Sequence, residues 1–198
     1  MNTLPGWFGK LPTLGDFAQR RLDAGWVQHW DNWLATGLAE LRQDEGWLDR
    51  YLGAPAWRFA LLPEVIGPGL TVGVLVPSVD RVGRYFPLTV AAAGLEMPQT
   101  LADAQALWQW AGRLEDAAVS ALQQDWTVDT LDQTLVGLRT PKAPPPTDPF
   151  AGALARMAVA SVSQVWQGHS LWWRGAEPEP ALRVAGLPGG RQFKALFN

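Results

Sequence analysis

The sequence predicts a single-domain α/β protein with a largely antiparallel central sheet flanked by helices. A segment with helical periodicity at residues 26–41 is followed by two segments rich in aromatic, aliphatic and β-branched residues, at 57–62 and 71–76. Residues 63–70 between them are typical of a turn, so these two strands should pair antiparallel. A third strand is predicted at 87–93, beside the other two.

The composition favours one globular domain without a basic surface for nucleic acid. The chain has 198 residues, of which 47% are hydrophobic and 18% are charged, and its formal net charge is -3. A chain of this length can bury a substantial core as one domain. The negative net charge provides no field that would hold a phosphate backbone. We therefore expect residues 1–198 to form one domain that binds no nucleic acid.

The sequence also indicates a cytoplasmic protein without direct membrane insertion. No uninterrupted apolar run reaches the roughly 18 residues of a membrane span, and the first residues lack the basic and apolar regions of a secretory signal. The absence of cysteine excludes disulfides and thiolate metal sites. His29 and His169 are far apart in the sequence, which leaves little material for a zinc centre. We assign no metal ligands, and we expect no cofactor. A metal site made only of carboxylates stays open.

The first predicted elements are a short strand and a long amphipathic helix. Residues 7–17 mix aromatic residues with Gly and Pro, which indicates a strand that turns sharply into a loop. The helix at 26–41 has apolar residues at spacings of three and four, and Asp23 is positioned to cap its N-terminus. Its apolar face consists of Trp26, Trp30, Trp33, Leu34, Leu38 and Leu41.

The second half of the chain is predicted to begin with two helices. The first spans 101–124, where Thr100 and Asp103 have the spacing of a capping box, and the second spans 128–138. The proline-rich segment 141–149 lacks too many amide donors for a helix or a central strand, so it predicts an exposed linker or crossover loop. Beyond it we predict a helix at 150–160, strands at 170–174 and 182–185, and a helical turn at 192–197.

The chain is rich in tryptophan, with 12 residues of this type. Each indole buries on the order of 150–250 Å² and tends to need a partner for its N–H. We expect most of them in the core, and the alternative is that some line an interaction surface.

The known motifs of nucleophilic catalysis and phosphate binding do not occur in the sequence. It contains no Gly-x-Ser-x-Gly elbow, no P-loop and no strand-linked Gly-x-Gly-x-x-Gly. The glycine-rich residues 186–190 are therefore predicted to form a turn.

The segment at residues 77–88, PSVDRVGRYFPL, places Asp80, Arg81 and Arg84 between two predicted strands. In a structural interpretation, Asp80 accepts hydrogen bonds from loop amides or pairs with an arginine. In an interaction interpretation, one or both arginines bind an acidic or phosphorylated surface. A catalytic role is the third interpretation.

A second charged segment lies near the N-terminus. Asp16 follows Gly15 in a predicted loop, where a carboxylate typically caps a turn. The alternative is that Asp16 contributes to a charged binding surface, and Lys10 has the same two interpretations.

Two segments are together characteristic of a known family: FGKLPTLGDF at residues 8–17 and PSVDRVGRYFPL at 77–88. Between them, WDNWL at 30–34 and APAWRF at 54–59 occur in the expected order, and SLWW at 170–173 adds weaker support. This combination resembles the TagF family, also called ImpM, which is associated with bacterial type VI secretion. Leu14 stands where the resemblance leads us to expect a basic residue.

The resemblance implies an α/β sandwich and a cytoplasmic accessory protein that is not an enzyme. Such a protein would repress type VI secretion after translation by binding a forkhead-associated scaffold protein, with other components of the apparatus as further candidate partners. We assign the following residues as loop-organising or partner-contacting: Lys10, Asp16, Asp80, Arg81 and Arg84.

Two other functions remain open. One is a small hydrolase or phosphoryl-handling enzyme that uses Asp80 and Arg84 in a cleft, since arginines stabilise developing phosphoryl charge. That enzyme would require a metal or base, such as a metal held where Asp16 and Asp80 converge. The other is a structural subunit of the secretion apparatus.

Overall fold

A seven-stranded sheet forms the centre of this computed structural model, which describes residues 3–141, 149–175, 177 and 180–198. The strands lie in the order β2-β1-β5-β4-β3-β6-β7, and every neighbouring pair is antiparallel. The predicted antiparallel sheet is therefore confirmed. The strands are β1 (Gly6–Gly9), β2 (Ala18–Arg20), β3 (Trp57–Leu61), β4 (Leu70–Val76), β5 (Leu88–Leu95), β6 (His169–Arg174) and β7 (Leu182–Ala185).

Six helices lie in the described parts of the chain. The carboxylate of Asp23 caps the first of them by accepting hydrogen bonds from two backbone N–H groups. The hydroxyl of Thr100 caps the third by accepting from the N–H of Asp103, so both predicted caps are confirmed. Within these parts, no helix is both long and apolar enough to cross a bilayer. The helices are α1 (Ala24–Leu41), α2 (Trp47–Gly53), α3 (Leu101–Gln123), α4 (Val128–Gly137), α5 (Pro149–Trp166) and α6 (Arg191–Ala195).

Sequence patterns did not predict β2 or α2. β2 has three residues and α2 has seven, so neither is long enough for a clear hydrophobic period. The predicted linker at 141–149 is wrong at its end, because Pro149 is the first residue of α5, a position where proline is well tolerated. Residues 142–148 of that segment lie outside the described residues. The predicted helix at 150–160 extends further, to Trp166.

The two faces of the sheet carry separate hydrophobic clusters, which makes the fold an α/β sandwich as expected. One cluster packs Val74 of β4 against Trp110 of α3 and also includes residues of α4. The other packs Phe59 of β3 against Trp30 of α1 and also includes Phe193 of α6. Side chains alternate between the faces along each strand. Because helices cover both faces of the central strands, every residue of β4 is buried.

The tryptophans belong mainly to these two clusters. Six of the twelve are buried and the other six are partly buried. The indole N–H of Trp30 donates to the hydroxyl of Thr89 at 2.8 Å, and that of Trp57 donates to the carbonyl of Leu196 at 2.8 Å. The buried N–H of Trp26, in contrast, has no acceptor among the described residues. The indoles therefore provide apolar area and also connect the sheet to the surrounding helices and the C-terminal segment.

Candidate functional site

Two loops meet at one edge of the central sheet. β5 lies between β1 and β4 and is antiparallel to both. β1 and β4 therefore run in the same direction, and their C-terminal ends lie on the same side of the sheet. The loop after β1 carries Lys10 and Asp16, and the loop after β4 carries Asp80, Arg81 and Arg84. The topology thus brings all five predicted residues to one end of the sheet.

Asp80 is at the centre of this site, and its side chain has no exposed surface. Its Oδ2 accepts hydrogen bonds from Lys10 Nζ at 2.6 Å and from Arg84 Nε at 2.7 Å. Its Oδ1 accepts from the backbone N–H groups of Val82 at 3.0 Å and Arg84 at 2.9 Å. Both carboxylate oxygens are therefore committed to holding the two loops.

The same contacts determine the ionisation of Asp80. Burial by itself would raise the pKa of Asp80, because a charged carboxylate loses its hydration. The hydrogen bonds from Lys10, Arg84 and Val82 outweigh that effect and hold the pKa well below its ordinary value. Asp80 is thus a stable carboxylate at neutral pH.

The backbone after β4 forms a small closed turn around Asp80. The N–H of Asp80 donates to the carbonyl of Arg84 at 3.1 Å, and the N–H of Gly83 donates back to the carbonyl of Asp80 at 3.0 Å. Gly83 has φ +84°, a conformation that glycine adopts without steric cost. The turn therefore has a defined shape, and residues 81–84 are its exposed part.

Arg84 and Arg81 connect the turn to the loop after β1 in different ways. The guanidinium of Arg84 donates from Nη2 to the carbonyl of Gly15, and the same atom lies 3.8 Å from Asp16 Oδ1. Arg81 uses its backbone N–H, which donates to the carbonyl of Leu14 at 2.8 Å. The exposed side chain of Arg81 makes no hydrogen bond or ion pair with any described residue.

Lys10 and Asp16 occupy contrasting environments although they lie in one loop. The Lys10 side chain is only 4% exposed, and its ammonium lies over the ring of Phe17, 4.8 Å from the centroid. The Asp16 side chain is 82% exposed, and its Oδ1 accepts from the N–H of Phe17 at 2.8 Å. Lys10 thus belongs to the buried ion cluster, whereas Asp16 lies at the surface and binds the N–H of the residue that follows it.

Gly9 permits the close approach that this cluster requires. Its φ is +136°, and a Cβ at this position would lie 2.2 Å from the carbonyl oxygen of Pro87. A residue with a side chain would therefore push the end of β1 away from the start of β5, and Lys10 would move away from Asp80.

Sequence patterns missed two residues that support the site, Tyr51 and Ser78. Tyr51 Oη donates to the carbonyl of Ser78 at 2.8 Å and accepts from its N–H at 3.0 Å, while Ser78 Oγ donates to the carbonyl of Lys10 at 2.7 Å. Burial raises the pKa of Tyr51, so the phenol stays protonated and can donate. No sequence signal pairs these residues, because Tyr51 lies in the unpredicted helix α2.

The arrangement differs from the one that a metal-dependent enzyme at Asp80 and Arg84 would need. Asp16 points to the surface while both oxygens of Asp80 are occupied, so the two carboxylates do not converge. In the described ranges, no group of three His, Cys, Asp or Glu residues is placed to hold a metal. Two cavities, of about 470 Å³ beside Trp33 and Phe193 and about 290 Å³ beside Trp108, lie away from the charged cluster.

The lowered pKa of Asp80 predicts a specific acid dependence of stability. In the unfolded chain the pKa of Asp80 is near the ordinary value of about 3.9. The cluster therefore contributes fully to the free energy of unfolding above that pH, and this contribution is lost as the pH falls from there toward the lower pKa of the folded state. We expect the melting temperature of the wild type to fall more steeply between about pH 5 and pH 3 than that of Asp80→Asn. Thermal denaturation at several pH values measures this. Asp16→Asn, which retains Asp80, should follow the wild-type slope, and equal slopes for wild type and Asp80→Asn would contradict the prediction.

Comparisons with known proteins identify the family of this fold and site. The family model described as TagF N-terminal domain, type VI secretion system-associated, matches residues 6–138, which include both loops of the site. The crystal structure of PA0076 from Pseudomonas aeruginosa PAO1 is similar with a TM-score of 0.77 and 33% sequence identity, over 98% of this chain and 93% of that chain. No curated protein matches the sequence. The chain therefore belongs to the TagF family of type VI secretion system-associated proteins, as the two sequence segments indicate.

Proposed function

We propose that this protein is a non-enzymatic negative regulator of type VI secretion, which acts after translation by binding another protein. The partner in this proposal is the forkhead-associated scaffold protein of the secretion system, and the location is the cytoplasm. The association with type VI secretion follows from family membership. Repression and the identity of the partner are the proposed steps.

The observation that carries the proposal is how the charged residues of segment 77–88 are bonded: Asp80 forms hydrogen bonds within the protein itself. Asp80, the carboxylate that the enzyme alternative would use, accepts four hydrogen bonds from its own loops. A carboxylate used in this way supports a fixed surface and leaves no free lone pair aimed at a substrate. A surface with a preorganised backbone suits protein recognition, because little conformational entropy is lost on binding.

The experiment that tests the proposal measures secretion when the protein is removed or overproduced. We expect deletion of the gene to increase release of a substrate ejected by the secretion sheath and overproduction to decrease it. The amounts of the other apparatus proteins should stay constant, because the control acts after translation. Unchanged secretion in both strains would refute the proposed regulation. Stoichiometric co-purification with the assembled apparatus would instead support a structural subunit.

A direct binding measurement addresses the partner separately. Isothermal titration calorimetry of the purified protein with the purified forkhead-associated protein should give a saturable signal. If the protein regulates secretion in cells but does not bind the forkhead-associated protein in calorimetry, the regulatory function stands and this partner is excluded.

A further inference from the structure

The turn at residues 80–84 exposes one apolar and two cationic residues within four consecutive positions. Asp80 is buried inside the turn, whereas Arg81, Val82 and Arg84 are exposed. The Val82 residue is 63% exposed, and Phe17 in the adjoining loop is 45% exposed. We call the surface formed by Phe17, Arg81, Val82 and Arg84 the loop patch.

The apolar members of the loop patch are held in place by the structure below them. The N–H of Val82 donates to Asp80 Oδ1 at 3.0 Å. Phe17 stacks on Phe8 with ring centroids 5.9 Å apart and packs edge-on against Phe86 at 4.8 Å. Exposed apolar side chains on a rigid support are suitable anchors for a partner, because burying them removes apolar area from water and immobilises little.

The charge of the loop patch is opposite to that of the whole chain. Around it, three cations (Lys10, Arg81 and Arg84) face two carboxylates (Asp16 and Asp80), whereas the chain as a whole has a net charge of -3. Lys10 and Arg84 both bond Asp80. This leaves the guanidinium of Arg81, which has no ion pair with any residue that the structure describes.

We infer that the loop patch is the contact surface for a partner protein with an acidic surface beside an apolar recess. The recess would receive Val82, and a carboxylate of the partner would pair bidentately with Arg81. A carboxylate fits better than a phosphate dianion here, because Arg81 is the single cation of the cluster without a partner in the described chain. This inference rests on the proposed function, since it specifies the surface through which the regulator binds.

The test compares Arg81→Glu with a charge-matched control, Arg139→Glu. Arg139 is exposed and precedes Thr140, which forms hydrogen bonds with Thr3. Thr3 comes just before β1 and Lys10 just after it, so Arg139 lies at the opposite end of that strand from Lys10. Both variants change the net charge equally. We expect Arg81→Glu to weaken binding to the purified forkhead-associated protein at least tenfold in calorimetry, and Arg139→Glu to change it less than twofold. Val82→Asp should weaken binding similarly, because it removes the apolar anchor and adds a negative charge.

Two further measurements complete the test. The melting temperatures of Arg81→Glu and Val82→Asp should stay within about 2 °C of the wild type, because neither side chain is buried. In cells, Arg81→Glu should release secretion as deletion does, whereas Arg139→Glu should still repress.

The outcomes separate the surface from the partner. If the wild type binds and represses, and Arg81→Glu and Val82→Asp do so equally well, the loop patch is not the contact surface. If the wild type does not bind the forkhead-associated protein, and Arg81→Glu loses repression while Arg139→Glu keeps it, that partner is excluded and the contact surface is supported. A wild type that neither binds nor represses would overturn both.

Discussion

Replacement of Asp80 with asparagine is expected to lower the melting temperature by about 10 °C. The substitution removes the counter-charge of Lys10, whose side chain is only 4% exposed. Removing one partner of a buried pair is strongly destabilising, because the other charge stays desolvated without compensation. The single amide oxygen of asparagine also cannot replace two carboxylate oxygens that together accept four hydrogen bonds. Thermal unfolding followed by circular dichroism at neutral pH measures the change.

Two controls distinguish a buried pair from a general loss of charge. Asp16→Asn makes the same chemical change in the adjoining loop, where the side chain is 82% exposed, and should shift the melting temperature by about 1 °C or less. The double variant Lys10→Met with Asp80→Asn should be more stable than Asp80→Asn alone, since no unpaired ammonium remains. Equal stability of Asp80→Asn and Asp16→Asn would show that the buried cluster does not hold the loops.

Replacement of Trp30 with alanine is expected to reduce the free energy of unfolding by about 3–5 kcal/mol. Trp30 is completely buried, and its ring packs 4.9 Å from that of Phe59 and 5.1 Å from that of Trp26. The truncation creates a large cavity between α1 and the sheet and also leaves the hydroxyl of Thr89 without its indole donor. Urea denaturation at equilibrium measures the loss.

The same truncation at a peripheral indole provides the matched control. Trp126 is partly buried and donates to the side chain of Gln124, so Trp126→Ala should cost less than half as much. Comparable losses at Trp30 and Trp126 would argue against a core organised around the indole of Trp30.

Local patterns predicted the elements whose stability depends on neighbours in the sequence. The period of α1 and the cap at Asp23 both act within a few residues, and the structure contains both. The turn between β3 and β4 likewise predicted their antiparallel pairing. In contrast, β2 and α2 are short elements. Pairing with β1 holds β2 at the edge of the sheet, and the hydrogen bond of Tyr51 to Ser78 holds α2 against the loop after β4. Such contacts leave no periodic signal in the sequence.

For the candidate site, the residues could be predicted and their roles could not. The two family segments contain all five assigned residues, and the sequence left each of them as loop-organising or partner-contacting. The hydrogen bonds to Asp80 show that Lys10 and Arg84 organise the loops, and partner contact stays a prediction. The supporting residues Tyr51 and Ser78 were not predicted, since their hydrogen bonds depend on where α2 packs.

The sequence by itself determined the class of fold and the family, and it singled out the five charged residues as candidates, because periodicity, caps and family segments are properties of neighbouring residues. Only the tertiary structure decided that Lys10, Asp80 and Arg84 form one cluster while the side chain of Arg81 faces solvent. The physical reason is that the behaviour of a charged group depends on burial and on the atoms within about 3 Å. For Asp80, one of those atoms is the ammonium of Lys10, which the antiparallel sheet brings there from the end of a different strand.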